Sequence, residues 1–512
     1  MKKNTATKKL VAMLLAVVLL LGLAGCSLTN KLASPEQYFE NVEKKDVADL
    51  CDTQTVYYEN YVRNLFANDN KYNVKMQLTL NDGVKDSIRQ SLGGQLDVDW
   101  LGQTDFDMTV NVKGGKSSTD LLFGIGGQHV LTLASSFDSE TNSLLLALRE
   151  ITDDVLKFNA ENSGLSALSG NKKQEAANAL PDAATVTKLL TKYHGMILEG
   201  IENIEKSSED MTLDDVTQTV TVLTCTVPQA KAKEIELAIL NDMKTDSDVR
   251  SIIENLQALL DESEPDGSVA YDRFLEKIDA RIAEIEAIEY GEDAVVMLYD
   301  YVNSKDEIVG RRIEQGDKVT SYLTLDDGKA FVTKADLSDG ISVSESGTKK
   351  GDLVTSDRYI SENGTTVSKI SFTDFDSKAA KKGQLSGKIR IYPNSEGIDA
   401  AASGTLGDLA ELLNIACELD IKGDWTAGEF NLTVFNGDAE LFSMKNASYA
   451  ISAAGEVTEP AGKQITVDGL DSLEELTADL HLDPLVENLR GTPVPTEYVD
   501  AIAELSDQLK AQ

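Results

Sequence analysis

The chain has 512 residues, a formal net charge of −38 and an apolar content of 41%. So acidic a balance argues against binding to nucleic-acid phosphates and against electrostatic attraction to anionic lipid head groups. The length exceeds what one hydrophobic core usually supports, so we expect two domains.

The first 26 residues have the order of a secretory signal. Four lysines precede an apolar run over residues 10–23, and the run ends in Leu-Ala-Gly-Cys at residues 23–26. The run is shorter than the roughly 20 residues that span a bilayer, which argues against the alternative of a permanent membrane anchor. The ending resembles the lipobox of bacterial lipoproteins, in which Cys26 becomes the lipid-modified first residue.

The resemblance implies a signal peptide at residues 1–25 and a lipid anchor on Cys26. It places the protein at the extracytoplasmic face of the cell membrane. Removal of the signal takes away four lysines and no acid, so the net charge moves from −38 to −42.

Residues 26–33 form a short polar tether, which spans at most about 25 Å when extended. Ser34 then supplies a helix N-cap, Pro35 a first helical position and Gln37 the partner of a capping box. This pattern predicts a helix from Pro35 to about residue 68.

Alternation of apolar and polar residues follows and predicts an antiparallel sheet with one apolar face. The predicted strands of this first part lie at residues 74–80, 96–100, 106–112, 120–134 and 143–148. A helix at 181–203 and a strand at 217–227 come next. Apolar stripes over 229–263 and 269–289, on either side of the turn at residues 264–267, predict a central helical hairpin that packs onto a sheet.

Beyond Gly291 the alternation returns. Strands are expected at 295–301, 308–313, 322–325, 330–334, 368–372, 387–392 and within 419–451, and helices at 471–490 and 496–510. Residues 96–110 and 419–434 share a similar pattern, which either duplication or chance explains. We therefore expect an α+β fold of two lobes, each a curved antiparallel sheet covered by helices, with an N-terminal lobe at 34–290 that includes the hairpin 229–289 and a C-terminal lobe at 291–512.

The sequence contains no pattern that indicates a reaction. The histidines, His129, His194 and His481, are isolated, and we find no nucleophile elbow, phosphate-binding loop or calcium loop. We therefore expect no catalytic residue, no metal site and no cofactor. A pocket that placed His194 or His481 beside a carboxylate would favour an enzyme.

The mature chain has three cysteines besides Cys26, and their spacing indicates neither a disulfide framework nor a zinc site. Cys51, Cys225 and Cys417 are therefore expected to be buried free thiols, although an exported protein could join two of them. Trp100 and Trp425 are candidate ligand-lining residues, because aromatic side chains often line lipid or carbohydrate pockets; the alternative is that they belong to the core.

The order of lipobox, leading helix, long strands and covering helices is similar in topology to half-barrel lipid-binding lipoproteins, and the whole chain resembles acidic lipoproteins of Gram-positive anaerobes. This resemblance implies a non-enzymatic, lipid-anchored surface protein that binds an apolar small molecule or an envelope protein. The alternatives are a structural or interaction lipoprotein with a filled core, and a cell-envelope hydrolase.

Overall fold

The computed structural model describes residues 33–63, 69–91, 97–159, 180–260, 267–291, 293–337, 340–393, 415–467 and 480–510. The predicted signal peptide, Cys26, residues 471–479 of a predicted helix and turn residues 264–266 lie outside these ranges. The helices are α1 Pro35–Tyr57, α2 Asp82–Ser91, α3 Ala183–Leu198, α4 Gln229–Met243, α5 Ser247–Leu260, α6 Gly267–Glu286, α7 Ser377–Ala380, α8 Asp483–Arg490 and α9 Thr496–Lys510.

The strands occupy much of the remaining described chain. They are β1 Asn70–Leu80, β2 Thr104–Lys113, β3 Lys116–Ile125, β4 Gln128–Asp138, β5 Ser143–Leu148, β6 Val155–Asn159, β7 Ile204–Leu213, β8 Val216–Pro228, β9 Val295–Val302, β10 Ile308–Gln315, β11 Lys318–Asp326, β12 Ala330–Asp336, β13 Ile341–Lys350, β14 Leu353–Glu362, β15 Thr365–Asp376, β16 Leu385–Pro393, β17 Ile415–Gly423, β18 Ala427–Asn436, β19 Ala439–Ala453 and β20 Gln464–Thr466.

The predicted fold class of two lobes, each with its own sheet, is wrong. All 20 strands belong to one hydrogen-bonded sheet. The sheet is mixed. Strand β20 pairs with β6 in parallel, whereas pairs of strands that follow each other in the chain, such as β2–β3 and β7–β8, are antiparallel. Alternation within single strands predicts a half-buried sheet but does not reveal which strand pairs with which, so it could not distinguish one large sheet from two.

Two compact units can be recognised within the chain. Unit 1 comprises Met1–Arg63, Ala179–Gly383 and Ile391–Leu413, and unit 2 comprises the remainder. In unit 1, β7 to β15 pair in sequence order as an antiparallel meander. In unit 2, β1 is central: it pairs with β2, which leads through β3, β4 and β5 to β6, and with β19, which leads through β18 to β17.

Helix α1 begins as the sequence predicts. The Ser34 hydroxyl accepts a hydrogen bond from the Gln37 amide at 3.3 Å, and Pro35 occupies the first turn. The α-helix ends at Tyr57 and continues as one wider, π-helical segment over Tyr58–Arg63. The predicted N-cap is confirmed, and residues 64–68 of the predicted helix lie outside the described ranges.

The helical hairpin predicted at 229–289 is also wrong, because its first arm is two helices, α4 and α5. Asp246 accounts for the break: its Oδ1 accepts the Asp248 amide at 2.8 Å and the Val249 amide at 3.3 Å, which starts a new helix. The Tyr271 hydroxyl of α6 donates to the carbonyl oxygen of Lys244 at 2.6 Å and fixes the bend.

Two local predictions were wrong or incomplete. The predicted strand at 96–100 is wrong, since Asp99–Gln103 form a 3₁₀ turn, and the similarity to 419–421 in β17 does not extend to the structure there. Strands β6, β7, β13 and β14 and helix α2 were missed; β7, β13 and β14 are rich in polar residues, which hides their alternation.

In unit 1 both faces of the sheet around β7–β12 are covered. On one face, Phe39 and Val42 of α1 pack against Leu223 and Val302. On the other, apolar side chains of β8 and β9 meet those of β11 and β12, and the curl brings the Asp326 amide within 2.9 Å of Gln218 Oε1. The concave face of this region is therefore filled by its own side chains.

In unit 2, α8 and α9 pack over one part of the sheet. Val486, Leu489 and Val499 contact Ile125 and Val130 at the β3–β4 hairpin. No described helix is long and apolar enough to cross a membrane.

Candidate functional site

One face of the unit 2 sheet is apolar from strand to strand. In the hydrogen-bonded register, Met76 of β1 lies opposite Phe106 of β2, and Phe106 lies opposite Phe123 of β3. On the other side of β1, Val74 lies opposite Tyr449 of β19. Residues in register share a face of the sheet. The same face carries Leu419 and Ile421 on β17, Phe430 and Leu432 on β18, Met444 on β19, Met108 on β2, Leu121 on β3, Leu131 and Leu133 on β4, and Leu146 and Leu148 on β5.

This surface, from β17 through β1 to β5, is termed the apolar face. On β1, β2 and β3 every charged residue lies on the opposite face, where the Lys75 ammonium is 2.7 Å from the Asp107 carboxylate. At about 4.8 Å per strand spacing, the apolar face is about 34 Å wide along the sheet. The separation of charged and apolar residues is that of a sheet with one face in water and one face covered.

The covering of the apolar face by the described residues is partial. Phe123 and Leu131 pack against α8 and α9. By contrast, Val74, Met76 and Met108 are only half-buried, as are their neighbours on β17, β18 and β19 apart from Val434 and Ala447. Leu223 and Leu325 in unit 1 are 0% exposed. The apolar face thus retains accessible apolar surface in the described part of the chain.

Trp100 and Trp425, the predicted ligand-lining residues, both belong to unit 2. Trp100 is in the 3₁₀ turn, packs against the cluster beneath α8 and α9, and donates its indole N–H to the Asp97 carbonyl at 3.1 Å. Trp425 is half-buried in the turn between β17 and β18. Their contact with a ligand stays a prediction.

A second feature, in unit 1, is a buried cluster of charged groups between α1 and the sheet. Asp300 of β9 and Arg311 of β10 lie directly opposite each other, and Arg311 lies opposite Tyr322 of β11. A bulge between Ile308 and Gly310 shifts the register and turns Arg311 towards α1. A Cβ on Gly310 would lie 2.7 Å from the Tyr322 carbonyl oxygen, so this close strand approach requires glycine.

The cluster is held by short contacts. Arg311 Nε donates to Asp300 Oδ1 at 2.7 Å, and another guanidinium nitrogen of Arg311 donates to Glu43 Oε1. The imidazole Nε2 of His194, on α3, is 2.8 Å from Glu43 Oε2. Glu43 is 2% exposed and Asp300 is 0% exposed.

The two carboxyl groups have opposite pKa shifts. Burial raises the pKa of Glu43, but Arg311 and His194 outweigh it and hold this pKa well below its usual range. Burial and the nearby Glu43 raise the pKa of Asp300 well above its usual range, although Arg311 opposes the shift. Asp46, one turn after Glu43 on α1, has its pKa raised by burial to about 6.

The histidines are less isolated than the sequence suggested. His194 lies beside Glu43, and His129 Nε2 is 2.8 Å from Glu150 Oε1, whereas His481 Nε2 is 4.0 Å from the exposed Asp153. The His194–Glu43 pair places a histidine beside a carboxylate, as expected for an enzyme, but the carboxylate is buried at 2% exposure. The nearby thiol of Cys51 is not activated, because burial raises its pKa.

The described part of the chain shows no group of three or more His, Cys, Asp or Glu side chains that could hold a metal ion. Cys51 and Cys225 are buried free thiols, as predicted, whereas Cys417 is free but only half-buried.

Sequence reasoning missed Glu43, Asp300 and Arg311. Two signals pointed to the carboxyl groups. Glu43 interrupts the apolar stripe that Phe39 and Val42 form on α1, and Asp300 interrupts a strand that is apolar on both faces. The bulge that aims Arg311 has no local signature in the sequence.

Comparisons with known proteins find no match to this chain: no family model, no curated protein and no solved structure is similar to it.

Proposed function

We propose that the protein is a lipid-anchored, extracytoplasmic surface protein, without enzymatic activity, that binds an apolar ligand on the apolar face of unit 2. The observation that carries the proposal is the half-burial of Val74, Met76 and Met108 on the apolar face. Every charged residue of β1, β2 and β3 lies on the opposite face of the sheet. A contiguous apolar surface of this extent is unfavourable in water and marks a binding site.

The apolar face suits a long hydrocarbon chain. Its side chains on β1 and β2 include the flexible methionines Met76 and Met108, which adapt to a chain of variable shape, beside aliphatic Val74 and aromatic Phe106. The face is about 34 Å wide, longer than the acyl chains of ordinary lipids. An anchor on Cys26, proposed from the lipobox, would keep the protein near a source of such molecules.

The first experiment is native mass spectrometry of the mature protein, made without its lipid in its own host and then extracted with organic solvent. A released apolar molecule of defined mass supports the proposal. A protein that carries nothing, and that also fails to bind a dansyl-labelled fatty acid, contradicts it.

A matched pair of variants locates the site. Met76→Arg places a charge on the apolar face, whereas Gln77→Arg places the same charge on the opposite face of the same strand. Because an unpaired charge among apolar groups is strongly unfavourable, we expect Met76→Arg to weaken dansyl fatty acid binding at least about tenfold and Gln77→Arg to leave it unchanged. Equal binding by both variants would place the ligand elsewhere.

A structural or interaction lipoprotein is the second candidate, and the filled faces of unit 1 favour it. It differs from the carrier in that no ligand is released by solvent and neither variant changes a binding signal. Crosslinking on intact cells would then identify an envelope partner.

The His194–Glu43 pair favours the third candidate, a cell-envelope hydrolase. We assign the pair a structural role, because both oxygens of Glu43 already bond cationic or imidazole groups within the fold. Turnover of isolated cell-wall polymers that His194→Ala abolishes would overturn this assignment.

A further inference from the structure

The buried cluster of unit 1 has one guanidinium for two buried carboxyl groups. Arg311 bonds both Asp300 and Glu43, and neither carboxyl is more than 2% exposed. The second oxygen of Asp300, Oδ2, is buried and has no hydrogen-bond donor within reach. Two buried carboxylates that share one cation repel each other, so a proton on one of them removes the imbalance.

The neighbouring groups do not correct this imbalance fully. Four titratable groups interact with the cluster from the surrounding elements: Asp46 on α1, His194 on α3, Cys225 on β8 and Tyr322 on β11. Asp46 adds a third carboxyl one turn after Glu43 on α1, where burial raises its pKa, Arg311 lowers it and Glu43 raises it further. His194 is the remaining group that can bring positive charge, and it contacts Glu43 rather than Asp300.

We propose that the folded protein holds extra protons on Asp300 and Asp46, so that mild acid tightens the contact of α1 with the sheet and neutral pH loosens it. Helix α1 directly follows the tether at residues 26–33, so this contact is the first attachment of the folded body after the proposed lipid anchor. The device is independent of ligand binding by unit 2.

The shifts agree in sign with this geometry. Both Asp300 and Asp46 have a pKa raised in the folded state, chiefly by burial, and that of Asp46 reaches about 6. An acid whose pKa is raised in the folded state stabilises the fold fully at a pH below its pKa in the unfolded chain, near 3.9. This stabilisation is lost as the pH rises through its pKa in the folded state. The lowered pKa of Glu43 acts in the opposite sense, but only below pH 4.5, so the window from pH 4.5 to 7.5 contains the loss of the Asp46 proton near pH 6.

The test is hydrogen exchange, read by mass spectrometry on α1 peptides of the full mature chain from pH 4.5 to 7.5, with protection factors corrected for intrinsic exchange. We expect the protection of α1 to fall at least about tenfold across this range, since each unit of pKa shift is worth tenfold. Asp300→Asn keeps the shape and mimics the protonated acid, and Asp46→Asn does the same. We expect Asp46→Asn to flatten the curve most and the double variant to abolish the remaining pH dependence.

Two further variants are controls that identify the titrating group. Asp52→Asn changes an exposed acid on the same helix and should keep the wild-type slope. His194→Gln retains a donor near Glu43 but cannot titrate. A flat wild-type curve would overturn the proposal, and so would a slope that survives Asp46→Asn but disappears in His194→Gln, because His194 would then be the titrating group. If Asp300→Asn fails to fold, the Asp46→Asn variant alone tests the proposal, because Asp46 is only half-buried.

Discussion

The β7–β12 region of unit 1 and the apolar face of unit 2 are both built from alternating antiparallel strands, yet they are covered differently. In unit 1, α1 packs on one face and the curled strands fill the other, so that Leu223 and Leu325 are 0% exposed. In unit 2 the described helices α8 and α9 reach only the β3–β4 end of the apolar face, and Val74 and Met108 stay half-buried. The same alternation therefore serves a sealed core in one region and accessible apolar surface in the other.

The comparison extends to charge. Unit 1 buries an arginine with two carboxyl groups against α1, whereas the charged residues of β1, β2 and β3 in unit 2 lie on the polar face in pairs such as Lys75–Asp107. Buried ion pairs fix one packing arrangement because breaking them is costly, and surface pairs contribute little. Unit 1 therefore holds a specific buried charged contact against α1, and under the proposed function unit 2 provides the surface for recognition.

The largest effect is expected for Arg311→Met. It leaves Glu43 and Asp300 buried without their cation, and we expect a loss of about 3–5 kcal/mol in the free energy of unfolding. Urea unfolding at pH 7 measures it. Arg358→Met is the control, because Arg358 is 41% exposed and its partner Glu345 keeps the Ser356 hydroxyl; a loss as large as that of Arg311→Met would contradict the distinction.

A matched pair of leucines tests the difference in covering. Leu325→Ala empties a fully buried site in unit 1 and should cost about 3–5 kcal/mol, within the range for buried leucines. Leu121→Ala on the half-buried apolar face should cost about 1–2 kcal/mol, because less surface is removed from water. Urea unfolding of both variants decides, and equal costs would mean that the apolar face is as tightly packed as the core of unit 1.

The smallest effect concerns thiol reactivity and involves no loss of stability. Burial raises the pKa of Cys225 to about 12 and also raises that of Cys51, both in unit 1, whereas Cys417 in unit 2 is half-buried. Because the thiolate is the reactive form, we expect Ellman's reagent to modify Cys417 first in folded protein that carries Cys26→Ser. Equally fast modification of Cys225 would show that the core of unit 1 opens readily.

Local patterns predicted individual elements well. Ser34 and Pro35 marked the start of α1, and the alternations at 74–80, 106–112 and 295–301 all lie in strands. These predictions succeeded because capping and alternation depend on neighbouring residues. Where a polar side chain offered an alternative, as Asp246 does by capping α5, the apolar stripe alone gave one helix instead of two.

The amino-acid sequence by itself determined where α1 begins, which residues of each strand share a face and, through the lipobox, the expected location of the protein. Strand pairing, the joining of 20 strands into one sheet and the bulge that turns Arg311 towards Glu43 were decided by the tertiary structure. The physical reason is that periodicity and capping are set within a few residues, whereas the covering of a sheet face and the charge balance of a buried group depend on side chains such as Glu43 and Arg311 that are 268 positions apart in the chain.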